Sequence, residues 1–265
     1  MAMPDLTCMS CTVDDGLARI VFTQAERGNP IDGVFCRELR DLAVELSCRA
    51  DVRAVLIQAQ GRFFSVGGDI RSFVGDRAAL PGIIKAWTAD IHSAIARFQR
   101  MNAPVVVAVH GDVAGGSVSL AAMADVLYAV EGVKFNAAFS LIGYSCDSGS
   151  SITLSTRMGI ARAKRFLMLS EVLDAAQARE AGLVDHVVAA DALVGEAEKM
   201  ARRLAAGPTL AYGNIKRLML SARTQPLESQ LEDEAQALAA AASSDDAWEG
   251  LMAFTERRKP AFKGR

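Results

Sequence analysis

Hydrophobic positions along the chain follow the spacing of both strands and helices. Residues 54–57 and 105–109 are short, uninterrupted apolar runs, and Pro104 borders the second, so both predict buried strands. Three further segments have strand length and are rich in β-branched residues. They are residues 17–22, 126–130 and 184–188.

Between these runs lie segments whose apolar residues have the spacing of a helix. Residues 34–48 and 86–101 carry apolar side chains three or four positions apart, which predicts amphipathic helices. Because strands and helices alternate, the sequence predicts an α/β core.

The last third of the chain shows helical patterns alone. The first of its helices is expected to stop at Gly207-Pro208, and Ser244 is positioned to cap the last. The predicted helices are residues 196–206, 209–221, 227–242 and 245–258. We therefore predict an α/β core over residues 1–195 and a C-terminal helical region over residues 196–265.

Composition narrows the class of protein. Of the 265 residues, 51% are hydrophobic and 23% are charged, which is typical of a globular chain. The net charge of −2 and the pI of about 6.0 provide no basic field for a nucleic-acid partner. No apolar run approaches the ~20 residues of a membrane span. The first residues lack a secretory pattern, so we expect a cytoplasmic protein with no membrane partner.

The cysteines indicate reduced thiols. Their number is five, and an odd count without a signal peptide is typical of a reducing compartment. Cys8 and Cys11 form a lone C-x-x-C, and no second pair exists to complete a zinc site, so we predict no metal. We expect this pair to lie on an N-terminal extension.

Two glycine pairs stand where a strand gives way to a helix. Gly67-Gly68 follows the strand at residues 54–57, and Gly115-Gly116 follows the strand at residues 105–109. Glycine permits unusual dihedral angles and close approach of a ligand, and N–H groups at a helix start point outward unpaired. Singly, each pair is most simply an ordinary turn. Together they can form an oxyanion hole for a thioester carbonyl.

These turns carry a family resemblance. Residues 64–70 resemble the F-S-x-G-x-D-[LI] turn of the crotonase (enoyl-CoA hydratase/isomerase) superfamily. Residues 104–120 and 175–184 are similar to two further segments of that family, and the similarity runs from about Gly16 to the C-terminus. The resemblance implies a crotonase-like spiral of ββα repeats with a C-terminal helical oligomerisation region. Gly68 and Gly116 would then supply the two oxyanion N–H groups.

The resemblance also implies partners. The substrate would be an acyl-CoA, whose coenzyme A is part of the thioester, with no cofactor bound permanently. The assembly would be a homotrimer or a dimer of trimers. Arg27 would contact the coenzyme A phosphates, as would Arg257 from the same or a neighbouring subunit, although a solvated charge is an equal alternative for each. Further contacts to the coenzyme A would come from Val66, Gly67, Gly68, Asp69 and Ile70.

The acidic residues of a hydratase are missing. Family members that hydrate enoyl-CoA use two glutamates, and the matching positions here are Ser119 and Phe139. Neither side chain can activate water and protonate a carbon as two carboxylates do. The resemblance therefore supports the scaffold and counts against hydration. We assign Ser119, Phe139 and Cys146 to the substrate pocket.

Asp147 is the predicted acid/base. Residues 142–150 resemble the G-L-x-P-D-x-G-[GS] loop of several isomerases in the family, above all the ring-epoxide phenylacetyl-CoA isomerases, with Cys146 in place of the usual proline. Such an acid would take a proton from C2 of a 3-enoyl thioester and return it at C4. We expect apolar neighbours such as Phe139 to raise the pKa of Asp147 by desolvation. A loop aspartate bonded to its own backbone is the alternative.

Three other residues have simpler interpretations. Cys146 is disfavoured as a nucleophile because no histidine is close to it in sequence. His92 lies in a helical pattern and is expected to be packed or solvent-facing. Asp69 is expected to be a helix N-cap as well as a coenzyme A contact.

Other functions remain open. One is an enoyl-CoA hydratase of other specificity, and another is a catalytically weak CoA-thioester-binding protein. A third is a hydrolase or dehalogenase with Asp147 as nucleophile. A dehalogenase would want a histidine on the helix before Pro104, and His92 is not at the expected position. The acyl group itself depends on a pocket formed by residues 70–91, which we expect to be irregular.

Overall fold

The computed structural model describes residues 4–265, so the first three residues of the predicted core lie outside it. In the described part, nine strands form two sheets. The strands are β1 Met9–Asp14, β2 Leu17–Phe22, β3 Ala54–Ala59, β4 Val105–Val109, β5 Val113–Ala114, β6 Val126–Val130, β7 Lys134–Asn136, β8 Leu173–Asp174 and β9 His186–Val188.

The larger sheet has the order β1-β2-β3-β4-β6-β9, and the smaller has the order β5-β7-β8. In the larger sheet only β1 runs antiparallel to its neighbour, and every other pair is parallel. All five residues of β4 are buried, as expected of a parallel strand covered on both faces. The carboxyl ends of β3 and β4 therefore meet at one edge of the sheet, which is where the two glycine turns begin.

Eleven α-helices surround these sheets in residues 4–265, with short 3-10 helices at Ala25–Arg27 and Phe139–Ile142. The α-helices are α1 Gly33–Cys48, α2 Ile70–Phe73, α3 Leu80–Arg100, α4 Gly116–Ala122, α5 Ser150–Met158, α6 Ile160–Leu169, α7 Ala175–Glu180, α8 Leu193–Ala205, α9 Thr209–Ser221, α10 Leu227–Ala242 and α11 Asp245–Thr255. The α/β core followed by helices is the fold class that the sequence predicts.

Helix α8 packs on the larger sheet against β3, β4 and β6. Its buried side chains, among them Leu193, Ala197 and Ala201, recur at helical spacing and complete the core on that face. The predicted division near residue 195 falls inside this helix. The first helix of the predicted C-terminal region is therefore part of the core packing.

Two expectations about local structure were wrong. The cysteine pair does not lie on an extension, since Cys8 is buried and Cys11 lies on β1, where alternate residues are covered by the core. The segment from 70 to 91 is also more regular than expected. It contains α2 and the start of α3, which begins at Leu80 with a proline in its first turn.

None of the helices in the described residues combines the length and the apolar character that crossing a bilayer requires.

Candidate active site

The two glycine turns lie side by side. The Ala114 N–H donates to the Ser65 carbonyl at 3.0 Å, and the Phe64 N–H donates to the Asp112 carbonyl at 3.2 Å. The buried Ser117 hydroxyl donates to the Ser65 carbonyl at 3.2 Å, which adds a link across the two segments. These bonds fix the turn after β3 against the turn after β4.

Glycine at position 67 is required by this contact. Gly67 has φ +83°, and a Cβ added there would lie 2.6 Å from the Ala114 carbonyl oxygen. A Cβ added to Gly115 would lie 3.9 Å from the Gly68 nitrogen, so the two turns nearly touch at the predicted oxyanion residues. The backbones of the two turns come this close because glycine has no side chain to separate them.

The Gly68 and Gly116 N–H groups have no hydrogen-bond acceptor in the described part of the chain. Gly116 is the first residue of α4, where a helix leaves its N–H groups unpaired and carries a partial positive charge. Gly68 directly precedes Asp69, whose side chain caps α2 by accepting from the Arg71 N–H at 3.2 Å. Two free donors on adjacent turns can stabilise a developing oxyanion.

Asn29 supports the first turn from beneath. Its side chain is buried, and its Nδ2 donates to the carbonyls of Gln60, Phe63 and Phe64 at 2.8, 3.1 and 3.2 Å. Three carbonyls of the segment that leads into Gly67 are thus held by one amide. The sequence interpretation gave Asn29 no role, because its partners lie more than 30 positions away.

His92 is exposed, as expected of a solvent-facing histidine, and its ring also contacts Asp147, a contact that the sequence did not predict. The His92 Nε2 is 2.7 Å from Asp147 Oδ1, and the Ser148 N–H donates to the same oxygen. His92 belongs to α3, the helix that ends shortly before Pro104, so a histidine on that helix does reach Asp147, although His92 was not expected at the position that a dehalogenase requires. The two residues are 55 positions apart, and only the packing of α3 brings them together.

The pKa of Asp147 is shifted in the direction opposite to the one expected. Burial acts to raise it, but the hydrogen bond with His92 and the Ser148 N–H outweigh burial and lower the pKa below its usual value. The hydrogen bond with Asp147 raises the pKa of His92, although burial opposes this. Asp147 is therefore a carboxylate at neutral pH. The His92 and Ser148 bonds both end on Oδ1.

Ser119 joins the oxyanion helix to the loop of Asp147. It is fully buried on α4, and its hydroxyl hydrogen-bonds the Ser150 hydroxyl. Ser150 in turn donates from its hydroxyl to the Asp147 carbonyl at 2.5 Å. Ser119 was expected in the substrate pocket, but it is sealed beneath the site and links two elements of the site instead.

Phe139 and Cys146, both assigned to the substrate pocket from the sequence, border a cavity of about 790 Å³. Tyr144, which lines that cavity, belongs to a group of three neighbouring aromatic rings with Phe73 and Trp87. The Phe73 ring centroid is 5.3 Å from that of Trp87 and 6.4 Å from that of Tyr144. The acyl side of the site thus has apolar walls from α2, α3 and the loop before Asp147.

The residues expected at coenzyme A are only partly brought together. Arg27 forms ion pairs with Asp32 at 3.0 Å and with Asp69 at 3.1 Å, which places it beside the first glycine turn. Val66 and Ile70 are exposed on that turn. Arg257, by contrast, makes no hydrogen bond or ion pair to any of these residues within positions 4–265.

Comparison with known proteins gives a consistent result. A sequence profile of the family described as enoyl-CoA hydratase/isomerase matches residues 12–265. The chain is 31% identical to the 1,2-epoxyphenylacetyl-CoA isomerase of Escherichia coli (strain K12) over 254 residues, or 96% of this chain and 97% of the other. It is also 27% identical to 4-chlorobenzoyl coenzyme A dehalogenase-1 of an Arthrobacter species, over 92% of this chain and 88% of the other.

The fold is shared with solved structures. The crystal structure of an enoyl-CoA hydratase from Polaromonas sp. JS666 superimposes with a TM-score of 0.90 at 26% identity, covering 96% of this chain and 99% of that one. The spiral crotonase-like fold that the resemblance implied is thereby confirmed, including the C-terminal helices.

Alanine substitution at the two neighbouring glycines should change the stability of the protein by very different amounts. In Gly67→Ala the new Cβ meets the Ala114 carbonyl at a positive φ, so we expect the free energy of unfolding to fall by about 2 kcal/mol or more. In Gly68→Ala the nearest atoms belong to the Phe73 ring at 3.5 Å, which is ordinary contact, and the change should stay within about 0.5 kcal/mol. Urea unfolding of both variants measures the difference, and equal stabilities would refute the close approach of the two turns.

Proposed function

The chain belongs to the enoyl-CoA hydratase/isomerase family of acyl-CoA enzymes, and within it we propose that this protein is an enoyl-CoA isomerase whose acid/base is Asp147. The observation that carries the proposal is the placement of that carboxylate. Asp147 precedes Ser148, whose hydroxyl would lie 2.7 Å from a Cβ added to Gly116, so the base adjoins the second oxyanion donor.

Shifting a double bond needs one carboxylate. Asp147 Oδ2 accepts the proton from C2 of a 3-enoyl thioester, and the electron pair of that C–H bond moves toward the thioester oxygen. The resulting dienolate carries its charge on that oxygen, where the Gly68 and Gly116 N–H groups donate to it. Asp147 then gives the proton to C4, the double bond lies between C2 and C3, and the carboxylate is regenerated.

Hydration requires two acid/base groups that these residues do not provide. It requires a group to activate water while another protonates the α-carbon. The positions that carry those groups in hydratases hold Ser119, whose buried hydroxyl is engaged by Ser150, and Phe139. The arrangement therefore favours isomerisation over hydration.

His92 orients the base in this mechanism. Its ring nitrogen and the Ser148 N–H hold Oδ1, which directs Oδ2 toward the substrate. The same bonds lower the pKa of Asp147, so the carboxylate is ionised before substrate arrives and is a weaker base than a desolvated one. The oxyanion donors supply the compensating stabilisation of the enolate.

Coenzyme A enters as part of the substrate, with no cofactor bound permanently. Arg27, beside the first glycine turn, would hold its phosphates. The turn residues 66–70, of which Val66 and Ile70 are exposed, would contact the rest of the nucleotide. Arg257 would contribute from a neighbouring subunit, since it does not reach this turn within its own chain.

We propose a homotrimer, or a dimer of trimers, as the assembly. Large apolar side chains are exposed on the C-terminal helices, which is typical of a surface buried between subunits. They are Ile215, Met219, Leu227, Leu231, Leu238, Trp248, Leu251 and Phe254. A mass in solution near that of the single 28.2 kDa chain would contradict this assembly.

A second function is favoured by one contact. The His92–Asp147 pair would also suit a hydrolytic dehalogenase in which Asp147 displaces a halide from carbon to form an ester, and His92 then activates the water that cleaves it. One relative of this chain has the name of such an enzyme, a chlorobenzoyl coenzyme A dehalogenase.

Asp147→Asn tests the isomerase. The amide cannot accept the C2 proton, so we expect kcat for converting a 3-enoyl-CoA to the 2-enoyl-CoA to fall about 10²–10⁴-fold. In deuterium oxide the wild-type product should carry deuterium, because the proton on Asp147 exchanges with solvent. Affinity for a saturated acyl-CoA, measured by calorimetry, should change little.

Asp174→Asn is the matched control. Asp174 is exposed and caps α7, a role that asparagine fills equally well, so its activity should equal wild type. An Asp147→Asn enzyme that isomerises as fast as this control would refute the assignment of the base.

Incubating the wild type with a 4-halobenzoyl-CoA in heavy-oxygen water tests the second function, hydrolytic dehalogenation. Halide release with label in the Asp147 carboxylate would establish it, and its absence would exclude it.

A further inference from the structure

The cavity of about 790 Å³ borders the segment that leads into Asp147. Tyr144 and Cys146 of that segment form one wall, and Ile152 of α5 with Leu167 and Met168 of α6 form another. These walls are apolar, and several of their side chains are exposed, Ile152 and Met168 by 53% and 63%. An apolar surface of this size beside a catalytic loop is suited to bind the hydrocarbon part of a ligand.

Three serines and two cations interrupt the apolar lining. Lys164 of α6 and Arg223, which follows α9, both face the cavity, and no aspartate or glutamate lines it. Neither cation forms an ion pair or a hydrogen bond to any residue in positions 4–265. The arginines next to Lys164 on α6 differ from it, since Arg162 and Arg165 both form ion pairs with Glu171. The cavity thus combines an apolar interior with uncompensated positive charge.

The cavity adjoins the candidate thioester site through Tyr144 and Cys146. The Tyr144 ring lines it and lies 6.4 Å from the Phe73 ring, whose edge is 3.5 Å from a Cβ added to Gly68. Cys146 lines it as well and is bonded to Asp147. An acyl chain with its carbonyl at Gly68 and its reacting carbons at Asp147 would extend toward this cavity.

We propose that this cavity binds the far end of the acyl group and that the acyl group ends in a carboxylate, an inference that rests on the proposed acyl-CoA function. The methylene part of such a group would cover the apolar walls. Its terminal carboxylate would accept from Lys164 and Arg223, and arginine can hold a carboxylate with two parallel hydrogen bonds. The substrate class is the monothioester of a dicarboxylic acid with coenzyme A.

The charges make this cavity selective. A neutral alkyl end would lower the hydration of both cations without offering them an acceptor, which disfavours binding. A carboxylate end supplies the acceptor and keeps the charge balanced. Discrimination between two acyl groups of the same length therefore depends on the charge at their ends.

Two 3-enoyl-CoA substrates of equal length test this, one ending in a carboxylate and the other in its methyl ester. We expect the wild type to prefer the carboxylate by roughly ten- to a hundred-fold in kcat/KM, as charge-assisted hydrogen bonds do. The double variant Lys164→Gln, Arg223→Gln should lose that preference while it still converts the ester. Both positions are exposed, so folding should be unaffected.

Arg165→Gln is the control, because it removes one charge from the same helix outside the cavity. It should keep the wild-type preference.

A wild type that converts the ester and the carboxylate equally well would overturn the inference and leave the proposed isomerase function intact. A carboxylate preference that survives in the double variant would do the same. If neither substrate reacts, the affinities of the saturated carboxylate and ester thioesters decide. A carboxylate preference lost in the double variant supports the inference, and equal affinities in the wild type reject it.

Discussion

The site depends on one close contact between two backbone segments. The turn after β3 and the turn after β4 can lie side by side only because Gly67 presents no Cβ to the Ala114 carbonyl. Parallel pairing of β3 with β4 brings both turns to the same edge of the sheet, and Asn29 holds the first in place through three carbonyls. The free N–H groups of Gly68 and Gly116 are adjacent as a consequence.

The proposed base, Asp147, is attached to the same turns by hydrogen bonds. Ser119, one turn along the oxyanion helix, reaches the Asp147 carbonyl through Ser150, so the two halves of the site are tied by buried hydroxyls. His92 and the Ser148 N–H hold one carboxylate oxygen and keep the group ionised. The proposed chemistry is divided accordingly, since the turns would stabilise negative charge on the substrate oxygen while Asp147 would move the proton.

Features that local patterns determine could be predicted from the sequence. The strand Val105–Val109 and the helix Thr209–Ser221 have the predicted bounds, because apolar runs and helical spacing reflect burial directly. The contact of His92 with Asp147 could not be predicted, since it depends on how α3 packs over 55 intervening positions. The direction of the Asp147 pKa shift was mistaken for the same reason, because the partner that determines it was not foreseen.

In the proposed mechanism two backbone N–H groups polarise a thioester carbonyl, and vibrational spectroscopy measures this polarisation directly. A saturated acyl-CoA labelled with carbon-13 at its carbonyl would be bound to the protein and examined by difference infrared spectroscopy. The account predicts a carbonyl stretch at lower frequency than in water, because donation from Gly68 and Gly116 weakens the double bond. A bound ligand whose carbonyl stretch stays at its solution frequency or rises above it would contradict the account.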